Sequence, residues 1–298
     1  RGWLSRMYIE YVWFDRWSRT RDVDTWLSLH DVTPNVRARH RHVYCHNATA
    51  FDNGPRRWRE EPRFEVFRSL YPSLYRTNIK KNDFVIVQQQ WMRDRFAAMF
   101  GLDKQRIIVA RPQIEMPPQQ PPEKRTAETL LVYPALPRFF KNYEILFEVM
   151  ERLRGEPVRL AVTFSGDETR YARALVSRYG RPANVDFVGH VSRDEVMRLY
   201  ASADALVFPS TLETWGLPLT EIRAFDKPVF AAALPYAYET LSGYDKAAFF
   251  DPHDAESLLR MLIPFVRERR FEASPVTVDY APPLANDWPE LLQLLGLW

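Results

Sequence analysis

Cysteine is nearly absent: Cys45 is the only one in 298 residues. A single thiol can form no internal disulfide and cannot supply the thiolate set of a structural zinc site. A reducing, cytoplasmic setting is therefore expected. No stretch approaches the roughly 18 consecutive apolar residues of a membrane-spanning helix, and no apolar segment of the secretory kind opens the sequence. Internal repeats are missing too, and only residues 116–128, MPPQQPPEKRTAE, are of low complexity. The chain begins at Arg1 rather than Met, so a processed or partial chain is expected.

What is present is the composition of a globular protein, 46% hydrophobic and 27% charged, long enough for two domains. The net charge of +3 conceals an asymmetry: residues 1–125 carry +9 and the remainder −6. A basic first part suits an anionic partner such as a membrane surface, a phosphorylated lipid or nucleic acid. It suits an arginine-rich solvated surface equally well. Nucleic acid is the weakest of these, because no recognised binding module accompanies the charge.

The prolines of residues 117–128 can continue neither a helix nor a central strand, so this stretch reads as a semi-rigid linker. Residues 1–116 then form a first domain, 129–270 a second, and 271–298 a tail whose last helix crosses back to the first. In the first domain TWLSLH (25–30), HVYCHN (42–47), DFVIVQ (83–88) and RIIVAR (106–111) read as strands. Residues 64–79 have helical spacing broken near Pro72, and 90–101 form another helix. The first helix, residues 3–19, mixes aromatics with arginine, which fits either packing on a sheet or lying on a membrane interface. The second domain alternates strands and helices more cleanly, with helices closed by Gly155 and Gly180 and one opened by Ser192 and Glu195 as a capping box. That is a doubly wound α/β pattern, which takes ligands at the carboxyl ends of its strands.

The segment LETWGLPLTEIRA (212–224) follows such a strand. Glu213 lies in the loop, Gly216 lets a ligand approach the backbone, and Pro218 suits the first helical turn. Glu221 falls about one turn into the helix. The amides of residues 216–219 are expected to be unpaired and to form an anion site, while a carboxylate can accept from two neighbouring hydroxyls. Together this suits a diphosphate flanked by sugars. By spacing alone the pair fits a capped surface helix with Glu in its first turn better than a ligand site.

The wider context, FPSTLETWGLPLTEIRAFDKPVFAA, resembles the donor site of retaining glycosyltransferases of family 4. Further likeness lies in VDFVGHVSRDEVMRLYASADALVFPS, AAFFDPHDAESLLRML and LVYPALPRFFKNYEIL, and a looser one in YCHNATAF and DFVIVQQQWMRDRF. The resemblance implies the GT-B architecture: α/β, two Rossmann-like domains facing a central cleft. The first domain would be incomplete, since the opening strand and glycine-rich loop of the family have no counterpart. The implied activity is transfer of a hexose from a nucleotide-diphosphate sugar to a glycan or lipid-linked acceptor in cell-surface polysaccharide biosynthesis. The setting would be the cytoplasm or the inner face of the cell membrane, with peripheral contact. A GT-B epimerase, or a reduced module that binds nucleotide-sugar or a partner without transfer, remains an alternative.

By the same resemblance Glu221 would hold the ribose hydroxyls, and Glu213 those of the transferred sugar. The backbone of Thr214, Trp215, Gly216 and Leu217 would cradle the distal phosphate. Lys141, with Arg138, would neutralise the diphosphate, and Gly189 and His190 would lie beside the base. His46 would sit near the sugar and leaving phosphate, with His30 as the alternative; neither histidine shows a carboxylate partner in the sequence. No cofactor is expected. No metal is expected either, because the second domain lacks an Asp-x-Asp motif and Lys141 supplies positive charge.

Overall fold

The computed structural model describes residues 2–115 and 127–298. The expected linker, residues 117–128, falls almost wholly outside them. The chain divides into two compact units. Unit 1 comprises Arg1–Arg56, Arg63–Gln113 and Asp279–Trp298; unit 2 comprises Arg57–Pro62 and Ile114–Val278. Residues 57–62, read from the sequence as part of the first domain, group with unit 2 because Glu61 pairs with Arg138 and the Arg57 guanidinium lies over Phe139.

Unit 1 contributes strands β1 (Thr25–Ser28), β2 (His40–Cys45), β3 (Phe84–Val87) and β4 (Ile107–Ala110). Unit 2 contributes β5 (Thr129–Tyr133), β6 (Val158–Val162), β7 (Val185–Phe187), β8 (Ala205–Phe208), β9 (Val229–Ala232) and β10 (Ala247–Phe250). The chain then returns to unit 1 with β11 (Leu284–Ala285), which pairs with β4. Every strand pair in both sheets is parallel. Helices between most successive strands provide the crossovers that parallel pairing requires, while β1 and β2 are joined by residues 29–39 without a helix.

In unit 1 the order is β1-β2-β3-β4-β11. Side chains alternate across the sheet. Val43, Cys45, Val85, Val87, Ile107 and Val109 pack against Tyr71, Tyr75, Phe96 and Phe100. Ile86, Ile108 and Ala110, on the opposite face, pack against Leu291 and Leu295 of the C-terminal segment. The helix expected to break near Pro72 does not: Pro62–Arg76 is one helix with Pro72 inside it. An internal proline costs a helix about 3 kcal/mol. Here Tyr71 and Tyr75 are buried on either side of that turn, and Tyr75 packs edge-on against Phe96, so tertiary packing offsets the cost. The first helix is interrupted as well. Between Trp3–Tyr8 and Phe14–Ser18 lies a π-helical turn, Ile9–Trp13, which the aromatic-rich sequence gives no sign of. No helix among the described residues is long and apolar enough to cross a membrane.

Unit 2 has the order β10-β9-β8-β5-β6-β7. From β5 the chain winds outward through β6 and β7, then crosses to the other side of β5 for β8, β9 and β10. That reversal leaves a crevice between the carboxyl ends of β5 and β8, where open α/β sheets bind ligands. The helix Arg193–Ser202 opens with the expected capping box, in which Ser192 Oγ accepts from the Glu195 amide and Glu195 accepts from the Ser192 amide.

Candidate functional site

Two loops meet at the reversal, residues 134–142 after β5 and 209–216 after β8. They are stitched together by backbone. The Thr211 amide donates to the Phe140 carbonyl at 2.7 Å, and the Ser210 and Thr211 hydroxyls donate to the same oxygen at 3.2 and 3.1 Å. Asn142, in the left-handed region, donates its side-chain amide to the carbonyls of Pro209 and Pro252. Two buried tyrosines brace the junction: Tyr133 donates to the Lys141 carbonyl at 2.9 Å and Tyr236 to the Ser210 carbonyl at 2.6 Å. Burial pushes both phenols well above their usual range, with the Glu213 charge adding to it, so they remain donors at any ordinary pH.

Lys141 and Glu213, from the two loops, form an ion pair. Both side chains are largely shielded from solvent, at 17% and 15% exposure. The ammonium also lies 5.5 Å from the Phe140 ring and 5.9 Å from that of Phe208. A lysine ammonium has three donors, so the Glu213 contact leaves capacity for an anion.

Trp215 turns inward: its side chain is buried, its indole donates to Thr220 at 2.8 Å and its carbonyl accepts from the Thr240 hydroxyl, which leaves its backbone amide as the part able to meet a ligand. Gly216 takes φ +79° and caps the helix Leu217–Arg223. The expected row of unpaired amides over residues 216–219 is not what forms. Pro218 has no N–H, and the Leu219 amide closes a tight turn onto the Gly216 carbonyl at 2.9 Å. That tightening is a usual way of satisfying a helix start. It leaves the amides of Gly216 and Leu217.

A pocket of about 330 Å³ opens beside this helix start, lined by Pro134, Thr163, His190, Arg193, Tyr200, Leu217 and Glu221 among others. Gly189, at φ +76°, turns the chain from the end of β7 toward His190. The Glu221 carboxylate is buried and held from two directions. Arg193 donates to Oε1 at 2.8 Å and Tyr200 to Oε2 at 3.0 Å. Tyr200 is itself buried, and burial together with the neighbouring Glu221 charge drives its phenol far above the usual range, so it stays a donor. Arg193 and Tyr200 escaped the sequence reading. They lie seven residues apart on one helix, hence on one face, which was the available signal.

Arg138 is engaged elsewhere, 2.9 Å from Glu61. Burial raises the Glu61 carboxyl, and the Arg138 charge works against that. His46 belongs to unit 1, just past the end of β2. The sequence shows it no carboxylate partner, but the fold supplies one. Asp31 Oδ1 lies 3.5 Å from His46 Nδ1 and accepts the His46 amide at 2.7 Å and the Tyr75 hydroxyl at 3.2 Å. The two residues are 15 apart in sequence and meet because β1 and β2 are adjacent parallel strands. His30, the alternative, lends its carbonyl to Arg6.

Two parallel-sheet α/β units, the second doubly wound with its pocket at the strand-order reversal, define a protein of the GT-B class of fold. Residues 115–276, more than half of the chain, match the family described as glycosyl transferases group 1, and the chain belongs to that family. It is 25% identical over 188 residues to a D-inositol 3-phosphate glycosyltransferase of Mycobacterium sp. strain KMS, covering 59% of this chain and 43% of that one. The fold is similar to a glycosyltransferase from Rickettsia africae, with a TM-score of 0.62 and 15% identity over 84% of this chain and 68% of the other. It is similar also to Anabaena HepE solved in complex with UDP-glucose, with a TM-score of 0.60 and 15% identity over 77% of this chain and 63% of that one. The chain spans less than half the length of the curated relatives it matches.

Proposed function

We propose that this chain takes part in retaining transfer of a hexose from a nucleotide-diphosphate sugar to a glycan or lipid-linked acceptor, in the assembly of a cell-surface polysaccharide. The observation that carries the reading is the pocket at the end of β5 and β8, with a buried carboxylate, Glu221, on its wall. The Lys141–Glu213 pair lies on the same two loops. Glu221 accepts the ribose hydroxyls, and His190 with Gly189 borders the base. The backbone of residues 214–217 meets the distal phosphate. Glu213 accepts hydroxyls of the transferred sugar. Lys141 keeps its contact with Glu213 while its remaining N–H groups turn to the diphosphate, stabilising charge as the leaving group departs. With that ammonium in place no metal is required, and EDTA should leave turnover unchanged.

Peripheral membrane contact belongs to the same proposal. Trp3, Leu4, Tyr8 and Trp13 are exposed along the first helical segments, beside Arg6 and Arg16. The decisive experiment is titration of UDP-, GDP- and dTDP-sugars followed by thermal shift, since a ligand that binds only the folded state raises its melting point. If none of them moves the transition, the reading is wrong.

One observation favours a second mechanism. Asp31 beside His46 is the pairing a general base needs, and a base on the acceptor hydroxyl would invert the anomeric centre. The anomeric proton coupling of the product separates the two: retention of the donor's α configuration supports the first, and a β product the second.

A further inference from the structure

The way Glu221 is held says more than that a carboxylate lines the pocket. An ionised carboxylate offers about four lone-pair sites, two on each oxygen. Arg193 occupies one on Oε1 at 2.8 Å and Tyr200 one on Oε2 at 3.0 Å. One site therefore remains on each oxygen. The terminal torsion of a glutamate is soft, so a carboxylate without such partners can swing to follow a single hydroxyl. Pinned at both oxygens, it cannot. Tyr200 comes from inside the unit and is fully buried, while Arg193 stands at the pocket wall, about half exposed, and its second nitrogen also reaches the Glu115 carbonyl at 3.3 Å. The carboxylate is thus fixed between an inner and an outer donor, and its two open sites suit two hydroxyls on adjacent carbons.

We propose that Arg193 and Tyr200 are positioning residues that fix Glu221 for a vicinal diol, making this pocket selective for a ribonucleoside diphosphate over its deoxy counterparts. The inference rests on the nucleotide-sugar reading of the pocket, in which Glu221 meets the ribose hydroxyls, and adds to it the two residues that hold the carboxylate in place. A ligand lacking either hydroxyl leaves one oxygen of a buried carboxylate short of a donor, and a fixed polar group rejects such an analogue more strongly than a mobile one.

Calorimetric titration of the full chain with UDP, GDP and ADP, then with the 2′-deoxy and 3′-deoxy forms of whichever binds best, tests this. The wild type is expected to lose about tenfold or more in affinity when either hydroxyl is removed. Tyr200→Phe and Arg193→Ala should bind the ribonucleotide more weakly while binding the deoxy forms nearly as the wild type does, so that the ratio falls toward one. Arg193→Lys should restore part of it, since an ammonium can donate to the same oxygen. A purely structural role would weaken every ligand alike and leave the ratio unchanged, which overturns the proposal, as does equal binding of ribo and deoxy forms by the wild type. Arg193 is exposed, so its variants test the idea even where Tyr200→Phe proves unstable. Failure of the wild type to bind any of the three nucleotides removes the nucleotide-sugar reading itself.

Discussion

Glu221 illustrates how a single side chain carries two duties that different substitutions separate. Changing it to alanine removes a ligand acceptor but also strands the buried Tyr200 hydroxyl, so stability and binding would fall together. Glu221→Gln keeps the shape and an acceptor oxygen for Arg193, lets its amide nitrogen donate to the Tyr200 hydroxyl in place of accepting from it, and removes the charge. It should weaken binding of a nucleotide-sugar by about 1.5–3 kcal/mol, the worth of a charge-assisted pair, with a smaller fall in melting temperature than Glu221→Ala. Unchanged affinity in a folded Glu221→Gln protein would falsify its assignment to the sugar hydroxyls. Glu168 offers a test by pH. Burial would raise its carboxyl, but the Ser165 and Gly166 amides and the Ser165 hydroxyl all donate to it and bring it down to about 2. Its unfolded value is near 4.5. A depressed folded value gives stability that is fully present above pH 4.5 and is lost as pH falls toward 2. Chemical denaturation across that window should show the wild type losing its advantage over Glu168→Gln, and parallel curves would rule the contribution out.

At the scale of elements, the turn into the helix Leu217–Arg223 sets the floor of the site. Gly216 has φ +79°, and a methyl group there would meet Leu219 Cδ1 at 3.1 Å and Phe208 at 3.5 Å. Gly216→Ala therefore combines backbone strain with crowding and should cost more than about 1 kcal/mol. Gly189→Ala makes a control, since φ is +76° but nothing lies within 4 Å of the added carbon. Thermal melting should rank Gly216→Ala as the more destabilising, and the reverse order would mean that crowding at the helix start is relieved by movement of Leu219. The capping box at Ser192 and Glu195 was readable from four letters because both partners are local. The continuity of the helix through Pro72 was not, because what supports it is Tyr75 against Phe96, more than twenty residues along the chain.

For the whole molecule, the C-terminal segment completes unit 1. β11 adds to the edge of β4, Leu291 is buried against Ile86 and Ile108, and Arg93 donates to the Ala281 carbonyl at 2.7 Å. Each fully buried leucine is worth about 1.5–3 kcal/mol. A chain ending at Val278 should therefore lose hydrogen-exchange protection in β3 and β4 while β5 and β8 of unit 2 keep theirs. Equal loss in both sheets, or none in β4, would show that the tail does not stabilise unit 1 selectively.

What local chemistry can encode was legible in the order of the residues. Alternating apolar runs and helical periods set the strands and helices of unit 2, and Gly216, Pro218 and Glu221 marked a helix start with a carboxylate one turn in. Those signals survive because each depends on residues within a few positions of one another. Which of those segments meet came only from the folded chain. The reversal of strand order brought the loops after β5 and β8 together, so Lys141 found Glu213 across 72 residues. Adjacent strands gave His46 its Asp31, and the packing of Arg193–Ser202 on the next helix gave Glu221 two partners that spacing never announced. Charged and aromatic side chains reach across such distances only after the sheet has set their backbones. A pairing between loops is a property of the strand order, which no single segment carries.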